Sequence, residues 1–122
     1  MVRLEELARA LLAADPNVCE VRLFGSLAAD TYTARSDADL LIVLETGAPR
    51  RMDRIPALLA HFRTAPIPVD ILPYTRAELE AALAAGDRFV ERILNHSILL
   101  AGRDGCSTTR PVAPANGNGP ST

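Results

Sequence analysis

The stretch LFGSLAADTYTARSDADLLIVL, residues 23–44, joins two apolar runs through a polar bend and sets two carboxylates, Asp37 and Asp39, at the mouth of the second run. That second run, LLIVL at 40–44, is apolar at every position, the pattern of a strand covered on both faces. Upstream, Val21 and Leu23 alternate with Glu20 and Arg22, which predicts a half-buried strand over 18–24 that ends at Gly25-Ser26. The crossing between the strands holds about a dozen residues, enough for one or two helical turns beginning at Ser26. Residues two apart on a strand share a face, so Asp37 and Asp39 are expected to project together, roughly 6–7 Å apart along the chain.

Working outward, Leu4, Leu7, Ala8, Leu11 and Leu12 follow helical spacing until Asp15-Pro16 stops them. Beyond the acids, Asp53 is expected to cap a helix that accepts Pro56 in its first turn and buries Ile55, Leu58, Leu59 and Phe62. IPVDIL at 67–72 reads as a third strand. Thr75 and Glu78 have the spacing of a capping box for a helix closed by Gly86. A last helix runs from Asp87 to Asn95, followed by a short apolar stretch at 98–101. The order is that of an α/β or α+β domain, without the repeated strand-helix units of a doubly wound sheet. The segment 103–122, RDGCSTTRPVAPANGNGPST, has no apolar period and reads as a disordered polar tail, leaving one domain over 1–102.

With 122 residues, 48% of them hydrophobic, and a formal charge of -2, the chain describes one small domain whose substrate site is a surface cleft. Its thirteen basic residues are all arginine and are scattered, so nucleic acid is disfavoured as a direct partner. No apolar run reaches membrane-spanning length, and Glu5, Glu6 and Arg9 interrupt the N-terminal leucines, so no membrane association and a cytoplasmic location are expected. Cys19 and Cys106 are far apart, with no CxxC, and read as reduced thiols. His61 and His96 read as packing or surface residues.

Two acids side by side disfavour each other's ionisation unless a cation or donors compensate. Magnesium is one remedy, since it is held by one or two carboxylates together with substrate phosphates. Asp70, between Val69 and Ile71 in the third strand, adds a third carboxylate if the strands are adjacent. Gly25-Ser26 offers backbone N–H groups and a hydroxyl to an anion. Arg35 is either a phosphate contact or a salt-bridge partner of the acids. A phosphate-binding turn facing a metal-binding acid pair is the arrangement that nucleotidyl transfer requires.

Gly-Ser, ten residues, Asp-x-Asp and a later strand acid together resemble the DNA polymerase beta-like nucleotidyltransferase superfamily, and within it the minimal nucleotidyltransferase (MNT) group. The resemblance extends over residues 1–101, through the VDIL strand to the closing FVERILNHSILLAG. It implies a small mixed β-sheet of three to four strands packed with helices. It further implies Mg²⁺ held by Asp37, Asp39 and Asp70, ATP phosphates held by Gly25 and Ser26, and Asp70 as general base. Members of this group are often antitoxins encoded beside HEPN-domain toxins, and some transfer AMP onto a tyrosine of that partner, so a HEPN toxin is the implied partner in a complex. Many relatives carry an arginine directly after Gly-Ser and a glycine three places later, where this chain has Leu27 and Asp30. Arg22, Arg35 and Arg76 are candidates for replacing the lost charge. Two other readings are an antitoxin that neutralises by binding alone and a transferase acting on a small molecule such as an aminoglycoside.

Overall fold

The computed structural model describes residues 2–25 and 38–103. Ser26, Arg35, Asp37, the turns expected between the first two strands, and the tail beyond Arg103 lie outside them. The described chain runs α1 (Val2–Ala14), β1 (Val18–Phe24), β2 (Ala38–Leu44), a 3₁₀ turn (Arg51–Arg54) leading into α2 (Ile55–Leu59), β3 (Val69–Thr75), α3 (Arg76–Ala84), α4 (Arg88–Asn95) and β4 (Ile98–Gly102). The strands form one mixed sheet in the order β3-β2-β1-β4, with β2 and β3 parallel and both partners of β1 antiparallel to it.

Both faces of this sheet are covered, which is why LLIVL carries no polar residue. On one face, Leu4, Ala8 and Leu11 of α1, with Leu58 and Phe62, bury Val21, Leu23, Leu40 and Ile42. On the other, Leu79 of α3 and Val90 and Ile93 of α4 close over Leu41, Val43 and Tyr74. No helix among the described residues is long and apolar enough to cross a membrane.

The structure departs from the sequence reading in several places, each with a local cause. β3 spans Val69–Thr75, not 67–72. Pro68 has no N–H, and it contributes only its carbonyl, which accepts from Ala38 N–H at 2.8 Å. Pro73 does not break the strand because β3 is an edge strand among the described residues. Asp53 lies inside the 3₁₀ turn, and α2 starts without a side-chain cap. Glu20, expected on a solvated face, is only 4% exposed. Its carboxylate meets Arg22 Nε at 3.0 Å, and Arg22 donates onward to Ser97 at 3.3 Å. The sulfur of Cys19 is disulfide-bonded and not a reduced thiol. Arg103 is held by the carbonyls of Val18 and Leu12, at 3.0 and 2.8 Å from Nη2.

The capping box is present as expected: Thr75 Oγ1 accepts from Glu78 N–H at 3.1 Å, and Glu78 Oε1 accepts from Thr75 N–H at 3.0 Å. The same Glu78 receives two hydrogen bonds from the buried Arg54 guanidinium, at 2.7 and 2.9 Å. Arg54 also donates to the carbonyls of Ala48 and Pro73, so it ties the segment after β2 to the end of β3.

Chiefly through the bonds from Arg54, and against the cost of burial, the Glu78 carboxyl is held down from its ordinary 4.5 to about 2. A depressed carboxyl stabilises the fold in its ionised form. That contribution is complete above pH 4.5 and fades as the pH falls towards 2. Glu78→Ala leaves Arg54 buried without its counter-ion and is expected to cost roughly 2–3 kcal/mol at neutral pH, less than breaking a fully buried pair because Glu78 is partly exposed. Urea unfolding should show that loss at neutral pH, and a smaller gap between variant and wild type at pH 3.

Candidate functional site

The parallel pairing of β2 and β3 sets Asp39 opposite Asp70. Register partners share a sheet face, with backbones about 4.8 Å apart, so the two carboxylates are neighbours. Asp39 is partly buried, whereas Asp70, on the edge strand, is exposed. The face they share is the one that Leu41, Val43, α3 and α4 pack farther along the sheet. Both acids stand at the N-terminal ends of their strands.

Gly25 closes the site from the β1 side. Phe24 is the register partner of Asp39, and the chain turns at Gly25 with φ +84°, a conformation side chains resist. A Cβ at this position would overlap Asp39 Oδ2. Glycine is therefore needed twice here, for the turn and for the close approach of backbone to carboxylate.

Of the residues expected at the site, Gly25, Asp39 and Asp70 are brought together. Ser26, Arg35 and Asp37 lie outside the described residues, as do Leu27 and Asp30. Among the described residues no group of three or more His, Cys, Asp or Glu is placed to hold a metal. The pair Asp39 and Asp70 supplies two hard oxygen donors of the kind that suit Mg²⁺ when substrate phosphates complete the shell.

Two of the arginines considered as replacement phosphate contacts are engaged elsewhere. Arg76 reaches Glu45 at 3.2 Å, beyond the C-terminal ends of β2 and β3. Arg22 is paired with Glu20. Sequence reasoning passed over Arg92, on α4. It lines a pocket of about 480 Å³ together with Phe24, Gly25, Phe89, Ile93 and His96. FVERILN shows helical amphipathicity, but nothing in the spacing tells that α4 lies against the end of β1.

Comparison with known proteins gives the same picture of the domain. Residues 4–100 match the family model described as "Nucleotidyltransferase domain". A candidate nucleotidyltransferase of Sulfolobus solfataricus is similar in structure, with a TM-score of 0.56 and 21% identity over 84% of this chain and 80% of that one. A chain from a toxin-antitoxin structure with AMP-PNP is similar at a TM-score of 0.56 and 19% identity, over 82% of this chain and 74% of that one. No curated protein matches the sequence.

Gly86 offers an internal control for Gly25, because its φ is also positive, at +78°, but an added Cβ there meets nothing within 4 Å. Gly25→Ala and Gly86→Ala should each lose about 1–2 kcal/mol from backbone strain alone. Only Gly25→Ala also pushes the Asp39 carboxylate aside. Urea unfolding should therefore show similar losses, while Mn²⁺ titration followed by paramagnetic line broadening should show weaker binding in Gly25→Ala only.

Proposed function

Since the chain belongs to the nucleotidyltransferase domain family, we propose that it transfers AMP from ATP to a hydroxyl group, a tyrosine of a HEPN-type toxin, and acts as that toxin's antitoxin. The observation that carries this reading is the in-register pair Asp39–Asp70 with Gly25 against Asp39. Support for a toxin partner comes from the toxin-antitoxin neighbour with AMP-PNP and from the MNT-like motif of residues 25–39.

Asp39 and Asp70, joined by Asp37, would hold Mg²⁺, which supplies Lewis acidity and charge neutralisation at the reacting phosphorus. The Gly25-Ser26 turn binds the triphosphate through backbone N–H groups and the serine hydroxyl. Asp70 accepts the proton of the acceptor hydroxyl as its oxygen bonds to the α-phosphorus. The bond from that phosphorus to the bridging oxygen breaks, and pyrophosphate leaves in line. The exposure of Asp70 on an edge strand suits this role, because an acceptor presented by a second protein reaches it without opening the core.

A second reading, neutralisation by contact alone, is favoured by one observation: Ile98 and Leu99 on β4, an edge strand among the described residues, are 44% and 47% exposed. The two readings separate in one experiment. Wild type incubated with ATP, Mg²⁺ and the partner toxin should add one or more AMP masses to the toxin, and Asp39→Asn should add none and fail to neutralise it. Full neutralisation by Asp39→Asn, with no AMP added by wild type, would leave only the contact reading.

A further inference from the structure

The pocket beside Gly25 takes no part in the carboxylate chemistry, and its walls have a different character. Phe24 of β1 and the buried Ile93 of α4 contribute apolar lining, and Phe89 of α4, also in the lining, is 55% exposed. Its ionisable lining residues are Arg92 and His96, with no carboxylate among the described residues that line it. Apolar and aromatic walls with a few polar groups, in a volume of about 480 Å³, suit a flat organic ring system bearing negative charge.

Its place relative to the two carboxylates tells which reactant that is. Asp70 flanks Asp39 on the β3 side, and Gly25 flanks it on the β1 side. In an in-line displacement the attacking hydroxyl and the leaving pyrophosphate lie on opposite sides of the phosphorus. With the acceptor at Asp70 and the phosphates at Gly25, a cavity that shares Gly25 and extends towards α4 and β4 belongs to the donor.

We infer that this pocket seats the base of the donor nucleoside triphosphate, stacked on Phe89, with Arg92 drawing the polyphosphate towards Gly25. The inference rests on the nucleotidyltransferase reading above and adds the residues that hold the donor. Arg92 thereby supplies from α4 a positive charge to the pocket that Gly25 also lines.

The chain has no tryptophan, so Phe89→Trp introduces a lone indole at the stacking position. Its fluorescence should be quenched by Mg²⁺-ATP and unchanged by Mg²⁺-tripolyphosphate, which has the phosphates without the base. By calorimetry, Phe89→Ala should bind Mg²⁺-ATP about tenfold more weakly than wild type, as loss of a base-stacking ring predicts, with tripolyphosphate binding unaltered. Equal ATP affinity in wild type and Phe89→Ala, with no quenching, would overturn the pocket assignment and leave the nucleotidyltransferase reading standing. Failure of wild type to bind any nucleoside triphosphate in Mg²⁺ would overturn both.

Discussion

The parallel register between β2 and β3 is the constraint on which the candidate site depends. Opposing Asp39 to Asp70 places two like charges at neighbouring positions on one sheet face, an arrangement that is unfavourable unless a cation or hydrogen-bond donors compensate. A slip of one residue would turn one of them to the opposite face. The packing resists such a slip, because β2 is buried on both faces and every residue from Leu40 to Leu44 has a place in one of two cores. The acids stand where that burial ends, which lets charged groups sit against a rigid strand without being enclosed by it.

The sheet separates two duties between its ends. At the C-terminal ends of β2 and β3, Arg54 and Glu78 bind each other and the backbone around them, with Thr75 capping α3 in the same cluster. That end holds the crossover together and is rich in satisfied polar contacts. At the other end, Gly25 presses its backbone against Asp39, and the neighbouring pocket keeps Phe89 and Arg92 open to solvent. The disulfide at Cys19 and the bonds from Arg103 to the carbonyls of Leu12 and Val18 secure the start of β1, so the turn at Gly25 extends from a strand fixed at its far end.

Much of this was legible in the residues, where the signal was local. The unbroken apolar run of β2 announces a strand covered on both sides, and Thr75 with Glu78 announces a helix start, because burial and capping each act over a few residues. Asp39, Asp70 and Gly25 were legible as a group through the spacing of the whole motif. What the sequence left hidden depended on contacts between distant segments. Glu20 alternates like a solvated residue, yet it is buried, with β4 paired beside it and Arg22 providing the counter-charge. Pro73 looks like a strand breaker until the strand order puts it on an edge. Phe89 and Arg92 carry no spacing signal, since their relation to Gly25 comes from the docking of α4 against β1, more than sixty residues away in the chain.

The candidate site is tested most directly by whether Asp39 and Asp70 bind a cation together. Crystals grown with Mn²⁺ and a non-hydrolysable ATP analogue, measured at the manganese absorption edge, would locate the cation by its anomalous scattering. The account predicts a peak between the two carboxylates, within about 2.2 Å of an oxygen of each, with the phosphates of the analogue completing the shell. Bound nucleotide with manganese elsewhere, or with Asp39 and Asp70 turned away from it, would contradict the account.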